Sequence, residues 1–186
     1  MTLLIAGLLV WSLVHFIPTL AIPLKQNLTD RFGANGYKLI FTALILLALA
    51  MIVFGWRSIE PTFLYLLPYG LNHLFMLLIL IAFILFGASH YQTRIKSFIR
   101  HPQLTGVALW ATAHLLLNGD SRSVVLFGGL GVWAVLEMIL INRKEGAWVK
   151  PAAPGWAQEF KGLAISLVIF VVVALIHPYI AGVSLR

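Results

Sequence analysis

The sequence predicts an all-α integral membrane protein that folds as a six-helix transmembrane bundle. Of its 186 residues, 61% are hydrophobic and only 10% are charged, and the mean hydropathy is +0.96. These values lie far from the balance that is typical of soluble domains. Six apolar segments, most of them near the ~20 residues that cross a bilayer as a helix, fill most of the chain. We therefore expect a single transmembrane domain over residues 1–186.

The six predicted segments cover residues 2–20, 37–56, 71–90, 103–118, 121–141 and 162–183. The first is predicted to be a retained membrane helix, because it lacks the charged start and the cleavage site of a signal peptide. The fourth is the shortest, and we expect it to extend through Pro102, since proline suits the first turn of a helix. Asn118 and Gly119 predict its end, and Asp120 or Ser121 predicts the N-cap of the fifth helix.

Basic residues are concentrated in the first, third and fifth loops, which indicates that these loops face the cytoplasm. They are Lys25, Arg31, Lys38, Arg94, Lys96, Arg100, Arg143, Lys144, Lys150 and Lys161. Both termini are then periplasmic, in a multi-pass protein of a bacterial inner membrane. The net charge of +7 lies in loops and not on one soluble face, so membrane lipid is the expected partner and nucleic acid is not.

The chain has no cysteine. This excludes disulfides, iron–sulfur clusters, thiolate zinc sites and covalent attachment of haem. Histidine-ligated metal or haem is the metal chemistry that the composition allows.

The histidines fall into two tiers: His15, His90 and His101 near the cytoplasmic side, and His73, His114 and His177 near the outer side. Thirteen residues separate His101 from His114, which corresponds to ~20 Å along one helix and to different helix faces. These two therefore cannot be the axial ligands of one haem. His15 and His101 lie at similar depth, so they are the predicted ligands of a haem iron, in a pocket that opens to the cytoplasm between the first and fourth helices.

Positive charge beside His101 suits the propionates of a haem, because arginine binds carboxylates through two parallel hydrogen bonds. Arg100 is the nearest such residue, with Arg94 and Lys96 close by in sequence. Glu137 is the acid inside a predicted span, and we expect it to pair with Arg100 or His101 or to extend toward the surface. His73, His90 and His177 lie near helix ends, where histidines often anchor a helix at the interface.

Several motifs together resemble the NnrU family over essentially the whole chain: WSLVHF in the first helix, LTDRFGANGYKLIF before the second, RHPQLTG at the fourth, and WATAHLLLNGD followed by LFGG. The same pattern is similar to the 15-cis-zeta-carotene isomerases, membrane proteins that use non-covalent haem b. This resemblance implies that His15 and His101 bind haem b and that His114 belongs to the same site. For bacterial NnrU members it implies a role in producing active nitrite and nitric oxide reductases, whose components are then expected partners.

Other functions stay open at this point. Isomerisation of a carotenoid, or action on another lipophilic substrate, follows from the second resemblance. RHPQLTG is also similar to the RHPxxxG motif with which membrane methyltransferases hold S-adenosylmethionine, although here the glutamate pair of those enzymes is reduced to Glu145 within NRKEGAW. A non-enzymatic protein that assists the assembly of another membrane complex is the third alternative.

Overall fold

The computed structural model describes residues 1–66 and 69–181, which form six α-helices. The helices are α1 (Thr2–Leu20), α2 (Ile22–Arg57), α3 (Asn72–Ser89), α4 (Pro102–Leu117), α5 (Ser121–Glu145) and α6 (Trp156–Ala181). Short 3₁₀ turns, Tyr69–Leu71 and Arg94–Ser97, precede α3 and α4. The predicted all-α membrane fold is confirmed. The last two residues of the predicted sixth segment, 182 and 183, lie outside the described residues.

Five of these helices, all except α4, are long and apolar enough to cross a membrane. α4 has 16 residues, which corresponds to about 24 Å of helix. It packs between α3 and α5. The shortest helix therefore has protein on two sides.

The helix ends follow the predicted local signals where those signals are strong. α4 begins at Pro102, as expected. The side chain of Asp120 accepts hydrogen bonds from the backbone N–H groups of Arg122 and Ser123 and so caps α5. The fifth loop is shorter than predicted, because α5 continues to Glu145 and α6 already begins at Trp156.

The predicted first loop is wrong. Helix resumes at Ile22, one residue after α1, and continues through the basic residues into the second span. A proline in its first turn favours a helix start, and the only non-helical backbone inside α2 is at Gly33, with φ 71° and ψ 169°. Glycine adopts this positive φ without a steric penalty, so a helical arm over residues 22–32 turns into the span at Gly33.

The helices form a row in which α1 lies beside α5 and α3 lies beside α6, although neither pair is consecutive in sequence. The order is α2, α1, α5, α4, α3, α6, as given by the helix pairs that pack together. α5 thus occupies the place where the sequence predicted a pocket between the first and fourth helices. α1 and α2 approach closely, since a Cβ atom at Gly7 would lie 2.8 Å from the backbone nitrogen of Ile52.

The loops that connect the helices lie at the two opposite ends of the bundle. One end carries the basic loop residues, and we call it the basic end: there Lys144 Nζ donates to the carbonyl of Pro18 at 2.6 Å, and Arg100 Nη1 donates to that of Gly146 at 2.8 Å. At the opposite end, the backbone of residues 62–65 pairs with the α4–α5 turn through Gly119 and Ser121. Loops one, three and five therefore share one end of the molecule.

Candidate functional site

His15 lies among aromatic rings from three helices. Its ring centroid is 4.5 Å from that of Trp11, one turn earlier on α1, and 4.8 Å from that of Trp133 on α5. Phe41 on α2 approaches it edge-on at 5.6 Å, and Tyr37 lies one turn before Phe41, with ring centroids 6.1 Å apart. The histidine is therefore held at the junction of α1, α2 and α5.

The tautomer of His15 follows from one hydrogen bond. Nδ1 lies 2.8 Å from the carbonyl oxygen of Trp11, and because a carbonyl can only accept, Nδ1 carries the proton. Nε2 then presents a lone pair. A histidine whose other ring nitrogen donates to a carbonyl in this way has the arrangement typical of metal-binding imidazoles.

α1 and α5 run in the same direction, and the contacts between them indicate which α5 residue lies at the depth of His15. A Cβ atom at Gly129 would lie 3.0 Å from Leu8 Cδ1, the rings of Trp11 and Trp133 meet at 5.6 Å, and Lys144 reaches Pro18. One turn beyond Trp11 is His15, and one turn beyond Trp133 is Glu137. Parallel helices in this register place Glu137 at the depth of His15 and on the α5 face that is directed at α1.

Glu137 is 7% exposed, and its Oε2 atom has no hydrogen-bond partner. Neither predicted partner pairs with it. Arg100 forms its ion pair with Glu145, at 3.1 Å, and His101 contacts Asn142. A buried ionisable group without a partner inside a membrane span marks a candidate functional site.

Buried polar atoms without a partner are concentrated around His15. Seven side chains of the described residues carry such an atom, and four of them belong to this region: Trp11, Tyr37, Trp133 and Glu137. Two of the other three are arginines whose guanidinium groups lie over tryptophan rings, at 4.1 and 4.5 Å from the ring centroids. Since unpaired buried polar groups are costly, their concentration indicates a place for a polar ligand. We call Trp11, His15, Tyr37, Phe41, Trp133 and Glu137 the His15 site.

His101 and Arg100 lie elsewhere, at the mouth of α4 on the basic end. His101 Nε2 is 2.9 Å from Asn142 Oδ1, and Arg100 binds both Glu145 and the carbonyl of Gly146. The side chains of Arg94 and Lys96 contact other groups. Arg94 stacks on Trp156, while Lys96 Nζ donates to the carbonyls of Ser89 and Tyr91 at the end of α3.

The structure does not bring His15 and His101 together. His15 is level with Glu137, and His101 is level with Asn142, five residues further along α5. Five residues correspond to about 8 Å along the helix and about 140° around it. The two histidines therefore lie on different sides of α5.

His114 repeats the local arrangement of His15 on the other side of α5. Its Nδ1 donates to the carbonyl of Trp110 at 2.9 Å, and its ring stacks on Phe127 with centroids 4.5 Å apart. Phe127 also lines an apolar groove of about 380 Å³ between α4 and α5. Trp-x-x-x-His thus occurs twice, once beside polar groups and once beside an apolar groove.

The sequence predicted His15 but missed the residues around it on other helices. Trp133 and Glu137 repeat on α5 the spacing of Trp11 and His15 on α1, and this shared four-residue spacing is the signal that could have found them. Within residues 1–66 and 69–181, no three His, Asp or Glu side chains are grouped so as to hold a bare metal ion. A haem has its own four nitrogen ligands and needs only one or two from protein.

Apolar helices of spanning length that hold ionisable side chains between them define a multi-pass integral membrane protein. The family model described as NnrU protein matches residues 3–185. The chain therefore belongs to the NnrU family, which confirms the resemblance in its motifs. No curated protein and no solved structure matches the chain.

Proposed function

We propose that this NnrU-family protein binds haem b through His15 and acts in the nitrite or nitric oxide branch of respiration, in a bacterial inner membrane. One observation carries the haem proposal: His15 Nε2 has a lone pair, because Nδ1 donates to Trp11, and four side chains on the same three helices, those of Trp11, Tyr37, Trp133 and Glu137, carry buried polar atoms without a partner. The lone pair suits iron, and the indole N–H and phenol O–H groups suit carboxylates such as propionates. The link to denitrification comes from the family name and motifs.

The chain's own residues would hold the group and limit its surroundings. His15 is the protein ligand in this proposal, and Trp11, Phe41 and Trp133 exclude water around it. Haem supplies electron transfer or ligand binding at iron when it is bound. That His101 is a second ligand of the iron stays a prediction, and the structure, which places His101 on another side of α5, gives it no support.

Optical spectra of the purified protein test the proposal. Protein produced with an adequate haem supply should show a Soret band that His15→Ala abolishes. His114→Ala is the matched control, since it removes a histidine with the same Trp-x-x-x-His hydrogen bond and should leave the band intact. Colourless wild-type protein after reconstitution with haemin would contradict haem binding. Loss of the band in His101→Ala would support the sequence-based ligand pair.

A methyltransferase is the second candidate, because the RHPQLTG and NRKEGAW segments meet at the basic end. Arg100 Nη2 lies 3.1 Å from Glu145 Oε2, and His101 contacts Asn142. These groups could hold a cofactor that carries both an amino and a carboxylate group. Binding of S-adenosylmethionine to colourless protein, lost in Arg100→Ala, would favour this candidate over haem.

A further inference from the structure

We infer that the helical arm over residues 22–32 is an interfacial helix, which lies along the membrane surface at the basic end and binds anionic phospholipid headgroups through Lys25 and Arg31. The arm contains the first part of the LTDRFGANGYKLIF motif. None of its residues belongs to the His15 site, so this inference does not depend on the haem proposal.

The arm lies across the ends of two membrane helices. It begins one residue after α1 ends and turns into the span of α2 at Gly33, so both of its ends lie where these helices reach the basic end. Lys25 Nζ, in the first turn of the arm, is 5.9 Å from the centroid of the Tyr37 ring, in the first turn of the span. A helix of this length rises about 16 Å, and it would carry Gly33 away from the span if it continued along α1. The arm is therefore placed at the level of the headgroups.

One face of the arm is apolar. Three apolar side chains spaced four residues apart share this face, and we call them the arm stripe: Leu24, Leu28 and Phe32. The protein leaves much of the stripe uncovered, since Leu24 is 48% exposed and Phe32 is 57% exposed. At the end of two membrane helices, the bilayer is the apolar phase that can cover these side chains.

The charged residues of the arm are arranged around the stripe. On a helical projection, Lys25 and Arg31 lie about 60° to either side of Leu28, while Asp30 lies about 160° away from it. Basic side chains beside an apolar stripe can extend their stems along the acyl chains and place their charges among the phosphates. With the acid on the opposite face, this charge distribution fits an anionic lipid surface and is typical of helices that lie in a membrane interface.

Fluorescent labels on single cysteines test the position of the arm, since the chain has no cysteine of its own. The full-length protein, in vesicles of phosphatidylcholine and phosphatidylglycerol, carries the label at Leu24→Cys or, as the matched control, at Gln26→Cys on the opposite face. Both residues are exposed in the protein, so burial within the protein predicts equal access of water to the two labels. We expect spin-labelled lipid to quench the Leu24 label, and iodide on both sides of the membrane to quench the Gln26 label.

Two results would overturn this placement. Equal quenching of both labels by iodide would mean that the arm lies in water. A Leu24 label that neither quencher reaches would mean that a second copy of the chain or another protein covers the stripe. Phe32→Cys provides a second position on the stripe and should behave like Leu24→Cys.

Lipid selectivity beside the arm tests the role of the two basic residues. In phosphatidylcholine vesicles, spin-labelled phosphatidylglycerol should be enriched about fivefold over spin-labelled phosphatidylcholine at the Leu24 label, as a basic side chain near anionic headgroups predicts. Lys25→Gln with Arg31→Gln should remove this preference. Lys150→Gln with Lys161→Gln is the control, because it removes two positive charges but Lys161 lies on α6, at the far end of the row. An unchanged preference in the first variant, or an equal loss in both, would overturn headgroup binding by Lys25 and Arg31.

Discussion

Two regions of the molecule each contain a buried glutamate, and they differ in what surrounds it. Glu159, at the start of α6, is 5% exposed. It accepts hydrogen bonds from the hydroxyl of Thr93 at 2.6 Å and from the backbone N–H of Arg94 at 2.9 Å. Glu137 is 7% exposed, but its Oε2 atom has no partner.

The surroundings of Glu159 show what a structural glutamate looks like in this fold. Its carboxylate joins the turn after α3 to α6, and burial, together with this carboxylate, raises the pKa of Tyr91 nearby. We call Tyr91, Thr93, Arg94 and Glu159 the Glu159 cluster. Burial is the same in both regions, so the paired hydrogen bonds, and not burial, separate a structural group from a candidate binding group.

Glu159→Ala should give the largest loss of stability. It leaves the Thr93 hydroxyl and the Arg94 N–H without an acceptor, which costs about 2–3 kcal/mol. Thermal unfolding in detergent measures the loss, and Glu159→Gln, which keeps an acceptor oxygen, should lose less. If Glu159→Ala unfolds like wild type, the cluster is not what joins α6 to the turn.

Gly162→Ala should destabilise the same region by about 1–2 kcal/mol, because overpacking forces side chains to move. A Cβ atom there would overlap the ring of Tyr91. Gly128→Ala is the control, since nothing lies within 4 Å of a Cβ atom at that helical position. The same thermal assay should separate the two variants, and equal melting temperatures would contradict the close contact of α6 with Tyr91.

Glu137→Met should not destabilise the haem-free protein, and a gain of about 1 kcal/mol is expected. The change replaces an unpartnered buried carboxyl group by an apolar side chain of similar length, which is neutral or favourable. Thermal unfolding without haem checks this. A loss comparable to that of Glu159→Ala would mean that Glu137 has a structural partner, and the contrast between the two regions would disappear.

Arg100→Ala should have the smallest effect, below about 1 kcal/mol. Its ion pair is partly open to solvent, with 57% of the Glu145 side chain exposed, and such pairs contribute little. Thermal unfolding at low and at high salt measures this loss of stability. A large, salt-insensitive loss would show that the mouth of α4 depends on this pair.

Local features of the fold were predictable from the sequence, and the neighbours of each helix were not. Pro102 and Asp120 mark helix starts through their own backbone and side-chain chemistry, so the start of α4 and the cap of α5 are as predicted. The helical arm before Gly33 was missed, because charged residues there suggested a loop. They do not prevent helix formation at an interface.

The candidate site was only partly predictable for the same reason. His15 stands out as a histidine within an apolar run, but its partners Trp133 and Glu137 come from a helix more than a hundred residues later. Helices in lipid are apolar on all sides, so their sequences carry no stripe that identifies the neighbouring helix. The predicted pairing of His15 with His101 used depth alone, and depth does not state which helix lies between them.

The position of α5 in the row sets a time interval during synthesis. α1 and α2 are complete once Arg57 has been synthesised. Glu137, the last residue that α5 contributes to the His15 site, is synthesised about 80 residues later. At the usual 5–20 residues per second, this takes roughly 4–16 s. For that interval the nascent α1–α2 hairpin presents its histidine to the bilayer, and α5 then closes over it.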